Sequence, residues 1–92
     1  MIKSFKSKAL KELFETGKTA KMDRKLQAKA KRMLDALNSA KRAGDMSVPG
    51  WDFHPLKGFD PTRYSCHVNG PWCITFEFEG EDATKVDYEQ YH

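Results

Sequence analysis

The sequence predicts an α+β fold, with two N-terminal helices packed on a small, mainly antiparallel β-sheet. Three observations carry that prediction. Apolar residues recur at helical spacing twice before Gly44: at Leu10, Leu13 and Phe14, and again at Leu26, Ala30, Met33, Leu34, Leu37 and Ala40. Two alternating runs, residues 63–68 and 72–78, flank Asn69-Gly70, which is a hairpin signature. A further alternating run, residues 84–88, follows the turn Gly80-Glu81-Asp82. Helices grouped at one end and strands at the other make a sheet covered on one face by a helical pair. With 92 residues the chain supports one small core, so residues 1–92 form a single domain.

Each element has its local justification. Residues 2–5 are apolar at both ends and carry a lysine, which suits an edge strand. Ser7 is placed to cap a first helix over residues 8–16, and Gly17 to end it. Asp23 caps the second helix, whose stripe runs to a stop at Ala43-Gly44. Val48-Pro49-Gly50 and Phe59-Asp60-Pro61 are breaks. In the hairpin a two-residue Asn69-Gly70 loop would set the apolar residues of its strands on opposite faces. The apolar pattern therefore selects a three-residue loop, Val68-Asn69-Gly70, with Gly70 at positive φ. Tyr64, Cys66, Trp72, Ile74, Phe76 and Phe78 then face the core. Arg63, Ser65, His67, Cys73, Thr75 and Glu77 share the other face, with Cys73 exposed. The two cysteines point apart and form no disulfide.

Composition narrows the class. The longest run of large apolar or neutral residues is five, at positions 72–76, so no membrane span is expected. The start Met1-Ile2-Lys3-Ser4-Phe5-Lys6 has no apolar signal region, and with two cysteines a reducing, cytoplasmic location is expected. The net charge of +3 is divided unevenly. Residues 1–57 hold 14 Lys/Arg against 6 Asp/Glu, while residues 58–92 hold 2 against 7. A basic half points to a polyanion partner. The candidate surface is Lys21, Arg24, Lys25, Lys29, Lys31 and Arg32.

Few residues can carry chemistry. Gly17-Lys18-Thr19 lacks the first glycine of a phosphate loop, since Glu12 stands there, and it follows a helix instead of a strand. Cys66 points inward, which leaves only His67 and Cys73, too few for a tetrahedral metal site. No metal or cofactor is expected. Imidazoles as a class change charge near neutral pH, so the pair His54 and His92 can act as acid and base. Tyr91 and Trp51 can stack on bases, and Lys57 and Arg63 can hold phosphates.

The combination of Ile2-Lys3-Ser4-Phe5, His54-Pro55-Leu56-Lys57-Gly58, Val68-Asn69-Gly70 with Trp72 and Ile74-Thr75-Phe76, Val86-Asp87-Tyr88-Glu89 and Tyr91-His92 strongly resembles the HigB toxins. These belong to the RelE/ParE superfamily of bacterial type II toxin–antitoxin systems. The resemblance spans the whole chain and implies a RelE-like fold. It further implies a ribosome-dependent mRNA endoribonuclease, acting without metal through attack of a ribose 2′-OH on the adjacent phosphate. The implied partners are a HigA-like helix-turn-helix antitoxin, the ribosome with its 16S rRNA, and mRNA. His54, Tyr91 and His92 match catalytic positions of the family, and Lys57 a phosphate-side position. Two residues depart from the family pattern. Cys73 stands in Trp72-Cys73-Ile74 where the family has arginine, and Gln90 precedes Tyr91-His92 where it has aspartate. Both are expected on the functional face, near the phosphate, with Arg63 as a compensating cation. A toxin with weakened chemistry that still binds antitoxin and ribosome is therefore the alternative, and a ParE-like gyrase inhibitor a more distant one.

Overall fold

Ser7 caps the first helix as its position predicts: Oγ accepts the Leu10 amide at 3.1 Å, and the helix α1 runs Lys8–Thr16. Gly17, at φ 86°, closes it by donating its amide to the Leu13 carbonyl at 2.8 Å. The computed structural model describes residues 1–90. Helix α2, Arg24–Ser39, starts on Asp23, whose carboxylate accepts the Lys25 amide. Between the helices Gln27 acts as a clamp: its Nε2 donates to the carbonyls of Thr19 and Met22, and its Oε1 accepts the Thr19 amide.

The second helix ends earlier than the apolar stripe suggests. Ala40 is already extended, and a short 3₁₀ turn, Ala43–Met46, follows. Asp45 accounts for the break, because its Oδ2 accepts the amides of Lys41 and Arg42 that would otherwise continue the helix. Those amides, the Lys41 contribution foremost, hold the Asp45 carboxyl below its ordinary range. At Val48-Pro49-Gly50 the chain turns, with the Trp51 amide donating to the Val48 carbonyl and Gly50 at φ 90°.

Four strands follow in simple antiparallel order: β1 His54–Leu56, β2 Arg63–Asn69, β3 Trp72–Glu79 and β4 Asp82–Gln90. Residues 2–5 make two isolated bridges running parallel to β4, Ile2 beside Ala83 and Phe5 beside Val86. The helices and this segment cover one face of the sheet. Leu10, Leu34, Leu37, Ile74, Phe76 and Val86 are at its fully buried centre.

The hairpin between β2 and β3 corrects the expected loop. The turn is Gly70-Pro71, closed by Asn69 opposite Trp72, and a bulge at Val68 restores the pairing of His67 with Cys73. The bulge keeps the apolar side chains of both strands on one face while moving the register by two residues. Val68, assigned to the loop by sequence, is 1% exposed and packs in the core. A second bulge lies in β4 at Lys85, which has φ 51°. It lets Ala83 and Val86, three residues apart, both point inward. Among the described residues no helix is long and apolar enough to cross a membrane.

Candidate active site

Strand alternation arranges the face opposite the helices in rows. His54, Ser65, Thr75 and Asp87 cross the four strands in one row. Leu56, Arg63, Glu77 and Thr84 form the row on one side, and His67, Cys73 and Glu89 the row on the other. No helix covers this face, yet most of it is dry. Arg63, Ser65, Cys73, Thr75 and Glu77 are all buried. The exposed Cys73 expected from sequence is thus corrected to a buried one. The physical reason is that long polar side chains on this face pair with one another and shield their neighbours.

The pairing is specific. Arg63 Nη1 donates to Glu77 Oε2 at 2.8 Å, and Nη2 donates to Thr75 Oγ1 at 2.9 Å and to the Lys85 carbonyl at 3.1 Å. Thr75 Oγ1 in turn donates to the Glu89 carboxylate. Arg63 therefore shares a face with Cys73, as alternation predicts, but its guanidinium is committed to Glu77, Thr75 and the β4 backbone. Compensation for the missing arginine at position 73 does not follow from that geometry.

A cleft of about 380 Å³ opens on the same face, lined by Asp52, His54, Leu56, Ser65, His67, Gly70 and Cys73. Its size is within the ~300–1,000 Å³ usual for ligand sites. The backbone delivers its key side chain. Asp52 has φ 46°, an unfavourable value for a residue with a Cβ, and its carbonyl contacts His54 Nδ1 at 2.7 Å. A carbonyl only accepts, so Nδ1 carries the hydrogen and the neutral ring keeps its lone pair on Nε2. By the same logic His67, whose Nε2 is 2.8 Å from the Gly70 carbonyl, holds its hydrogen on Nε2. A larger hollow of about 730 Å³, lined by Glu12, Thr16, Lys18, Thr19, Ala20, Arg24 and Gln27, has no imidazole or thiol among the described residues of its lining.

The remaining expected residues are distributed as follows. Lys57 is exposed just beyond β1. Gln90 is exposed and pairs with Trp72, on the helix side of the sheet. The shared functional face expected for Cys73 and Gln90 is therefore corrected, because adjacent registers in β4 alternate and Glu89 is the residue opposite Cys73. Tyr91 and His92 lie outside the described residues. Of the basic surface, Lys21, Arg24, Lys25 and Arg32 are exposed. Lys29 donates to the Val68 carbonyl at 2.8 Å. Lys31 pairs with Asp35 at 2.6 Å and stands 5.5 Å over the Phe14 ring. Asp52, Ser65 and Glu89 are site residues that sequence reasoning did not single out. Alternation gave the face of Ser65, while the role of Asp52 rests on a backbone angle that no pattern reveals.

Both thiols are free. Burial, foremost, pushes the Cys66 thiol up to about 12. Tyr88 stacks on Trp72 at 4.5 Å, and burial likewise raises its phenol to about 12, with Asp23 and Cys73 adding to the effect.

A helical pair on a four-stranded antiparallel sheet, with a histidine in a cleft on the uncovered face, defines the class of small RelE-like toxins. Residues 3–92 match the family described as RelE-like toxin of type II toxin–antitoxin system HigB. The chain is 39% identical to Endoribonuclease HigB of Proteus vulgaris over 92 residues, which cover the whole of both proteins. It belongs to the HigB-like toxin family. As a type II toxin, it implies an antitoxin partner.

Proposed function

We propose that this chain is a cytoplasmic, ribosome-dependent mRNA endoribonuclease, held in check by a HigA-like helix-turn-helix antitoxin. The observation that carries the reading is the His54–Asp52 contact, which fixes the imidazole with its lone pair on Nε2. In that tautomer His54 takes the proton from a ribose 2′-OH as the oxygen attacks the adjacent phosphorus. The bond to the 5′ oxygen breaks, leaving a 2′,3′-cyclic phosphate on one product. His92 supplies the proton to the departing 5′ oxygen, giving a 5′-OH end. Tyr91 stacks on or orients the substrate, and Lys57 takes the phosphate side. The basic residues Lys21, Arg24, Lys25 and Arg32 face 16S rRNA, with Lys29 and Lys31 at their margin.

One feature favours a slowed version of this chemistry. No Lys or Arg is among the residues lining the cleft, and Arg63 is paired with Glu77. A missing cation of this kind costs ~10²–10³ in rate. The experiment maps new mRNA 5′-OH ends on translating ribosomes given the parent, His54→Ala, His92→Ala or Cys73→Arg. Cleavage by the parent, lost in both alanine variants and faster in Cys73→Arg, is the expected result. Cleavage by Cys73→Arg alone would convert the proposal to a binding protein that has lost its activity. No cleavage by any version would end it.

A further inference from the structure

Ser65 breaks the rule that its neighbours obey. It is 1% exposed, and its hydroxyl has no hydrogen-bond partner among the described residues. Beside it in the same row, Thr75 is bonded to both Arg63 and Glu89. On its other side is His54, exposed at the cleft mouth. The polar network of the open face therefore stops at Ser65, a residue of the cleft lining, whose buried Oγ keeps one donor and two acceptor positions unmet among the described residues. Buried polar groups are satisfied as a rule, and an exception beside a cavity is a place where an entering molecule, water included, can supply the partner.

The other walls state what would fit. Leu56, Gly70 and Cys73 give apolar surface, and His54 and His67 give flat imidazole rings. Asp52 contributes a carboxylate, and the lining includes no Lys or Arg. A phosphate would meet that carboxylate with no cation among these residues to offset it. A neutral, flat heterocycle with a polar edge would instead find surfaces to lie on and a hydroxyl to pair with. We infer that the cleft receives one unstacked nucleobase of the RNA, and that Ser65 Oγ hydrogen-bonds its edge. Ser65 is then a specificity-determining residue, and the adjoining phosphate lies at the cleft mouth beside His54, toward exposed Lys57. This assignment rests on the RNA-cleaving role proposed above.

The test uses 2′-O-methyl trinucleotides, which lack the attacking 2′-OH, with each of the four bases or an abasic sugar at the centre. Titrated into the ¹⁵N-labelled protein, they should shift the amides of His54, Ser65 and Cys73. The abasic probe should bind about tenfold more weakly, the scale of one base stacking. Ser65→Ala should lose about fivefold to tenfold in affinity for the preferred base and narrow the spread among bases. Ser65→Thr, which keeps the hydroxyl, should retain the preference. Ser65→Ala should melt no lower than the parent, because it removes an unsatisfied group, so a loss of binding is not a loss of fold. Absence of cleft shifts, equal binding of abasic and intact probes, or an unchanged base preference in Ser65→Ala overturns the inference. The two proposals fail separately. Base-selective binding through Ser65 without any 5′-OH ends on ribosomes keeps the base site and removes the nuclease. Cleavage whose sequence preference is untouched by Ser65→Ala keeps the nuclease and removes the base site.

Discussion

Phe76 and Thr75 are adjacent in β3 and both are fully buried, yet opposite means remove them from water. Phe76 faces the helices, where apolar side chains are interchangeable in kind and differ mainly in shape. Thr75 faces the uncovered side, where a chain of ionic and hydroxyl contacts from Glu77 through Arg63 to Glu89 does the covering. One face tolerates loss in proportion to volume. The other weakens sharply when Arg63 leaves, because the buried Glu77 charge keeps only the more distant, exposed Lys85.

Arg63→Ala is the severest break of that second face. It should destabilise by about 3 kcal/mol in urea unfolding, since buried Glu77 keeps only the exposed Lys85 ammonium at 3.7 Å. Replacing both partners, Arg63→Met with Glu77→Leu, should recover most of the loss. A double variant as unstable as the single one would show that the face is not governed by pairing. On the helix side, Leu37→Ala should cost about 3 kcal/mol through a cavity, with no second deletion able to restore it.

The next effect is pH-dependent. Cys66 and Tyr88 have native pKa values raised to about 12, above the ordinary 9 and 10. The unfolded chain therefore releases these protons first as pH rises. Their contribution is complete below pH 9 and is lost above it, on the order of 2 kcal/mol by pH 11 for the thiol, with the phenol adding in the same direction. Urea midpoints measured from pH 8 to 11 should fall for the parent and fall less for Cys66→Ala. Smallest of all, Ser7→Ala should cost about 1 kcal/mol by removing the cap of α1, with no change in pH slope.

The helix-facing half of the molecule was largely legible in the sequence, because burial there is written as a repeat of apolar residues. Leu10, Leu13, Met33, Leu34 and Leu37 fall where periodicity puts them. What stayed hidden was whatever a repeat cannot encode. The bulge at Val68 preserves the apolar faces while changing the turn, so two registers satisfied the same pattern. Helix α2 ends on a carboxylate five residues past its C-cap. Burial of Arg63, Cys73 and Glu77 without an apolar partner is invisible to any hydrophobicity count. In the cleft, His54 was read from its motif, but the tautomer follows from the left-handed Asp52 backbone that turns a carbonyl toward it.

The N-terminal segment has a consequence in time as well as space. The Ala83 amide donates to the Met1 carbonyl, and the amides of Lys3 and Lys6 donate to the carbonyls of Ala83 and Val86. Residues 1–6 are thus held by residues some eighty positions further along the chain. Contacts of such separation form slowly and only after the intervening chain exists. Residues 1–6 find these partners only once β4 has been made. A chain abandoned during translation before β4 is made would lack its last strand and the row that carries Glu89. The residues that line the cleft, all within 52–73, would be present in such a fragment, but Thr75 would lack its Glu89 partner and residues 1–6 the strand that holds them.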